Sequence, residues 1–195
     1  MAKQSTFLNM TLCLGVVTIV CAALLGAVNI LTADAIAQAA IAKTELAISA
    51  VVPAFDNRPA SDRMTLSLEG ESLAVYPAKQ GDNPVGYAVE VSTSKGFGGT
   101  IKLMVGFDPD GNITGTSVIS HSETPGLGSK MTEQKFYGQF VGKNPASFRL
   151  SVKKDGGDID AITASTITSR AYADALSKAY RAFQNIKSNQ NQSEK

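Results

Sequence analysis

No charged side chain lies between Gln4 and Ala33, tryptophan is absent, histidine occurs once, and both cysteines, Cys13 and Cys21, fall inside the uncharged stretch. Each shortage removes a class of function. Beyond Ala33 there is no thiol, so that part of the chain can have no internal disulfide, thiolate zinc site, thiolate-held iron–sulfur cluster or cysteine nucleophile. Lys3 is the only charge before residue 34, leaving 17 basic and 17 acidic side chains on the remaining 162 residues. A neutral balance argues against a nucleic-acid surface, which needs a basic excess to displace counterions from phosphates. At about 100 to 200 residues per domain, this length gives one domain with a real core.

What the first stretch has instead is Leu, Val, Ile, Ala and Met from Phe7 to Leu31. As a helix, such a run spans about 37 Å, enough to cross a hydrocarbon core of about 30 Å with some tilt. A cleaved signal peptide has an apolar region of only about 7 to 15 residues behind a basic start. The small-residue candidate Ala33-Asp34-Ala35 follows an over-long apolar run, and Thr18-Ile19-Val20 before Cys21 suits a lipoprotein site poorly. The expectation is a retained single-pass anchor. Lys3 and the amino terminus are positive, whereas Asp34 is the first charge on the far side. The positive-inside tendency then leaves residues 1–33 as a cytoplasmic stub and transmembrane helix and exports the rest, periplasmic in a double-membrane bacterium.

Residues 34–63 read as a membrane-proximal helix and linker. Ile36, Ala40, Ile41, Ala47, Ile48 and Val51 recur at roughly helical spacing, and Pro53 ends the pattern. Residues 64–186 read as the domain proper. Met64–Leu68, Ser72–Tyr76, Val85–Ser92, Thr100–Phe107 and Ile113–Ser120 have strand character, with a turn signal at Asp108–Asn112. In Val85–Ser92, Tyr87, Val89 and Val91 alternate with Ala88, Glu90 and Ser92, a half-buried pattern. Thr132–Phe140 reads as a helix, and Phe148–Val152 and Ile159–Ile162 as short strands around the Lys153–Asp158 turn. Ile167, Ala171, Ala175, Leu176, Ala179, Tyr180, Phe183 and Ile186 form the core stripe of a last helix. Residues 187–195 read as a disordered tail. The class is α+β, a mostly antiparallel sheet flanked by helices behind one transmembrane helix.

The catalytic repertoire is small. A Ser-His-Asp site would have to use His121, which has no nucleophile elbow near it, and no Walker, G-x-G-x-x-G or paired-histidine metal motif occurs. A structural or surface role suits His121 better, so no catalytic residue and no metal ligand is assigned. Two segments have unusual composition. In His121–Gly128, Pro125 fixes φ while Gly126 and Gly128 permit conformations closed to other residues. Leu127 between the glycines could face outward onto something flat, or tuck into the core. In Asp160–Ser169, five hydroxyls (Thr163, Ser165, Thr166, Thr168, Ser169) crowd into seven residues where the last helix begins. One of them would suffice as an N-cap. Helix starts also collect phosphates, through free N–H groups and the macrodipole.

Together these segments resemble the FMN-binding domain of the Rnf and Nqr membrane redox complexes, in particular the Rnf G and Nqr C subunits. In that family an Asp, two residues, and Ser/Thr-Gly-Ala-Thr precede further hydroxyls, and the last Thr carries FMN through a phosphoester made by a separate flavin transferase. Asp160 matches the Asp, Thr163 the leading hydroxyl and Thr166 the acceptor, with Thr168 and Ser169 behind. The family's Glu-Thr-Pro-Gly-Leu-Gly signature stands intact as Glu123 to Gly128. One departure is Ala164-Ser165 where the family has Gly-Ala. Alanine calls for an ordinary backbone angle there, and Ser165 brings a rival hydroxyl beside the acceptor.

The resemblance, nearer in length to the Rnf G type, implies a covalent FMN on Thr166, with Asp160, Thr163, Ser165 and Thr168 around it. Glu123 belongs to the same cofactor site, and Thr124, Gly126 and Leu127 lie near the isoalloxazine. It implies partners as well: other membrane and redox subunits, and the flavin transferase for maturation. The chain would relay electrons between subunits, in a route linking NADH and ferredoxin, within an ion-translocating complex. The alternatives are an Nqr C-type subunit, a stand-alone extracytoplasmic flavin-binding electron-transfer protein, and a non-redox binding module on a membrane stalk.

Overall fold

The computed structural model describes residues 7–68, 70–81 and 83–193. The stub with Lys3 and the last two residues of the tail lie outside them. Helix α1 runs unbroken over Phe7–Val51. Its apolar part has a mean hydropathy of 2.5 over an 18-residue window, long and apolar enough to cross a membrane. The chain forms two compact units, one ending at Ala42 and the other beginning at Lys43. The expected amphipathic stripe is therefore only half real. Ile36 and Ile41 are exposed, whereas Ala47, Ile48 and Val51, in the second unit, are buried. Pro53 follows the helix end, as the missing amide and fixed φ require.

The second unit is built on five antiparallel strands in sequential order. They are β1 Met64–Leu68, β2 Glu71–Gln80, β3 Asn83–Thr93, β4 Ile101–Phe107 and β5 Ile113–Ser120. The β4–β5 turn closes around Asp108, whose Oδ1 accepts the N–H groups of Asp110 and Asn112 at 2.9 and 2.8 Å. Strand alternation sends Leu73, Val75, Tyr87, Val89, Val91, Leu103 and Val105 to one face, where helix α3 (Thr166–Ser193) covers them. On this side Tyr172 is fully buried, donates to Thr116 Oγ1 at 2.8 Å and stacks on Phe140; burial pushes its phenol pKa up. On the other face Ala74, Ala78, Ala88 and Met104 pack against Ala47, Ile48, Val51 and Val52. Ala88, expected on a solvated face, is thus buried, because the end of α1 occupies that side of the sheet.

Three expectations are corrected. Thr132–Phe140 is not one helix: a 3₁₀ turn over Gly128–Thr132, helix α2 (Gln134–Tyr137) and another 3₁₀ turn over Gly138–Phe140 replace it. Glu133, extended at φ −85° and ψ 140°, makes the break. Phe148–Val152 and Ile159–Ile162 contribute a single bridge, Val152 to Ile159. Their backbone groups are met locally instead, for example by Asp158 accepting the Arg149 N–H at 2.8 Å, so no ladder forms. Helix α3 continues to Ser193, well into the stretch expected to be a disordered tail. Local bonds such as Ser188 Oγ to the Gln184 carbonyl at 2.9 Å accompany its polar turns.

Candidate functional site

Thr166 is the first residue of α3 and is half-buried. The chain reaches it through Ala164, which has φ +60°, in the left-handed region. The ordinary backbone angle expected at Ala164 is therefore not found; the turn has a conformation that suits glycine, on an alanine. Such a conformation costs an L-residue about 1 to 2 kcal/mol. Ala164→Gly should thus stabilise the fold by up to about 1 kcal/mol, after allowing about 0.4 to 1 kcal/mol for the greater freedom of glycine in the unfolded chain. Urea unfolding of the detergent-purified protein measures this, and a loss of stability would contradict the left-handed assignment.

The hydroxyl cluster divides its labour. Ser169 is buried, accepts the Ile162 N–H at 2.9 Å and donates to the Ser165 carbonyl at 3.0 Å, closing the turn before the helix. Ser165, the rival hydroxyl, is itself buried. Thr168 points inward and its hydroxyl donates to Glu123 Oε2 at 2.6 Å. The N–H groups of Thr166, Ile167 and Thr168 have no protein acceptor among the described residues, and no acidic side chain sits in the first turn. A 28-residue helix with free leading amides and no local negative charge is set up to receive an anion.

Glu123 joins three segments. Besides Thr168, it accepts the Gly98 N–H on Oε1 at 2.9 Å, and its own N–H donates to His121 Nδ1 at 3.1 Å. His121 is thereby a partner of the loop's backbone. A Cβ on Gly128 would lie 2.2 Å from Glu123 Oε2, and one on Gly96 would lie 2.7 Å from Oε1, so backbone closes around the carboxylate where side chains could not. The loop beyond is shaped by Gly126, at φ +75°, whose N–H donates to Ser129 Oγ at 2.9 Å. Leu127 is 43 % exposed, so it faces outward and does not tuck into the core.

These pieces meet around a cleft of about 360 Å³ lined by Phe97, Glu123, Thr124, Leu127, Gly128 and residues 164–168. That volume is within the range of small-ligand sites. Three exposed apolar side chains, Phe97, Leu127 and Ile167, stand along it. The arrangement can hold a phosphate at the helix start and a flat apolar group against the rim. Not every sequence candidate is here. Asp160 and Thr163 line a neighbouring cleft of about 280 Å³ with Lys130, Lys135, Phe136 and Gln139. The Asp160 carboxylate pairs with Lys153 at 2.7 Å in an exposed position. Arg170 hydrogen-bonds Asp155 and holds that carboxyl below the usual carboxylate range. Gly126 lines neither cleft.

Sequence reasoning missed Phe97 and Ile167. An aromatic set among Gly96, Gly98 and Gly99 was the available signal for Phe97. Ile167 was assigned to the core stripe, but two four-residue steps rotate a helical position by about 80°, and Ile167 is 50 % exposed.

Residues 96–181 match the FMN-binding domain family. The G subunit of the ion-translocating oxidoreductase complex of Shewanella baltica is 35 % identical, across 88 % of this chain and 87 % of its own length. The Escherichia coli protein of the same name is 36 % identical across 80 and 81 %. The G subunit of the Na(+)-translocating ferredoxin:NAD(+) oxidoreductase complex of Acetobacterium woodii is 34 % identical across 90 % of each chain. Among solved structures, NqrC of Shewanella oneidensis matches with a TM-score of 0.48 and 18 % identity, covering 71 % of this chain and 70 % of that one.

Proposed function

The chain belongs to the family of G subunits of ion-translocating oxidoreductase complexes, and from that premise we propose that it carries FMN as a phosphoester on Thr166 and relays electrons between other redox subunits of its complex. The observation that carries the reading is the half-buried Thr166 at a helix start with free amides, beside a cleft with an apolar rim. A bound flavin supplies the electron transfer; the protein has to hold it, orient it and exclude side reactions. Thr166 anchors the phosphate end, and the amides of residues 166–168 offset its charge. Phe97, Leu127 and Ile167 offer apolar surface to the ring system, and Thr124 and Gly128 line the cleft with them. Asp160 and Thr163 lie in the adjacent cleft, where they are open to the flavin transferase that forms the ester.

The uncharged part of α1 serves as a single-pass anchor in the bacterial inner membrane, with the FMN domain on the extracytoplasmic side. A covalent tether prevents loss of the cofactor from a compartment that need not supply free FMN. The route served links NADH and ferredoxin, as the name of the Acetobacterium relative suggests for that protein. The intact mass of protein isolated from its native membrane tests the reading. It should exceed the bare polypeptide by one FMN ester, and a mass equal to the bare polypeptide would overturn covalent attachment.

A further inference from the structure

Glu123 is 5 % exposed, and none of the ion pairs among the described residues includes it. Its carboxylate rests on two hydrogen bonds, from the Gly98 N–H and the Thr168 hydroxyl, and on the positive end of α3, where Thr168 sits in the first turn. Burying a carboxylate without a cation is costly. Glutamine has the same shape and could accept the Gly98 N–H equally well. What glutamate adds is charge, and Glu123 lines the same cleft as Thr166, Phe97 and Leu127. Charges act strongly on one another across a poorly solvated wall.

We infer that the buried Glu123 carboxylate sets the reduction potential of the flavin in this cleft, lowering it by opposing added negative charge. The inference rests on the proposed reading of the cleft as the FMN site. Thr168 and Gly98 are positioning groups here: by donating to the carboxylate they hold it in place and temper its field on the cleft. Removing the charge and removing its donor should therefore move the potential in opposite directions, whereas loosening of the site would move it the same way in both.

Redox titration of the flavin absorbance at pH 8 in the full-length, flavin-loaded protein tests this with Glu123→Gln and Thr168→Val. Glu123→Gln should raise the ratio of reduced to oxidised flavin at fixed ambient potential about tenfold, a positive shift of about 59 mV for a one-electron step. Thr168→Val should shift the potential negative. An unmoved or negative potential in Glu123→Gln, or a positive shift in both variants, overturns the assignment. Where Glu123→Gln does not fold, the sign of the Thr168→Val shift decides alone, a null or positive shift counting against the carboxylate. Native protein without any flavin would sink the FMN reading itself, which the intact mass reveals separately.

Discussion

Thr166→Ala, co-expressed with the flavin transferase, should yield a folded protein with no flavin fluorescence in a denaturing gel. The loss should be complete, because the other hydroxyls of the Thr163–Ser169 cluster are buried or face the neighbouring cleft. Thr168 is 1 % exposed and committed to Glu123, and Ser169 is fully buried and bonded on both sides. Ser165 is 8 % exposed, and Thr163, although accessible, lines the other cleft. The fold should tolerate the change, since alanine is the better helix former and Thr166 sits at the helix start, half open to solvent. Ser165→Ala should keep its fluorescence. A fluorescent Thr166→Ala band, or loss of fluorescence in Ser165→Ala, would move the attachment point.

The strands were legible because a sheet with two partners imposes period-two alternation on β-branched and aromatic residues. Met64–Leu68 and Ile113–Ser120 match the observed strands at both ends. What failed to show was the cover on the second face. Ala74, Ala78, Ala88 and three glycines look like weak strand residues, but they are small because the end of α1 lies against them. A contact between residues far apart along the chain leaves no periodic trace. The 148–162 segment misled for the opposite reason: its apolar residues fit a strand, but the Arg149–Asp158 contacts close it on itself.

The site was half legible. Thr166, Glu123, Thr124, Leu127, Ser165 and Thr168 converge on one cleft, whereas Asp160 and Thr163 fall into its neighbour. Linear motifs run residue types together even when the chain turns between them, and here the left-handed Ala164 makes that turn. Phe97 comes from a loop some seventy residues before the hydroxyl cluster, brought there by the packing of Gly98 against Ser122 and Glu123. Only the sheet's meander, with β3 and β5 flanking β4, puts those two loops side by side.

Gly106→Ala should be the most damaging single methyl in the domain. Gly106 lies in β4 opposite Ala88 of β3 and Gly115 of β5, on the face where α1 ends. A Cβ there would sit 1.9 Å from the Val51 carbonyl oxygen and 2.5 Å from its carbon. Both are backbone atoms, so no rotamer change relieves the clash, and the Thr114 hydroxyl holds the same carbonyl from the next strand. Either the strand bows or Val51 lifts, and lifting Val51 takes Ile48 and Val52 partly out of their packing. Exposing an aliphatic side chain costs about 1.5 to 3 kcal/mol, so a total near 3 kcal/mol is expected. At about 2 to 4 °C per kcal/mol for a chain of this size, Tm should fall by about 6 to 12 °C. Gly26→Ala, with nothing within 4 Å of its Cβ, is the control and should leave Tm unchanged or raise it. Proteolysis should accelerate near Pro53–Phe55 in Gly106→Ala while fluorescence from Thr166 persists, because the flavin cleft lies among other loops. A Tm equal to that of the parent protein would mean that Val51 does not rest on the glycine strip.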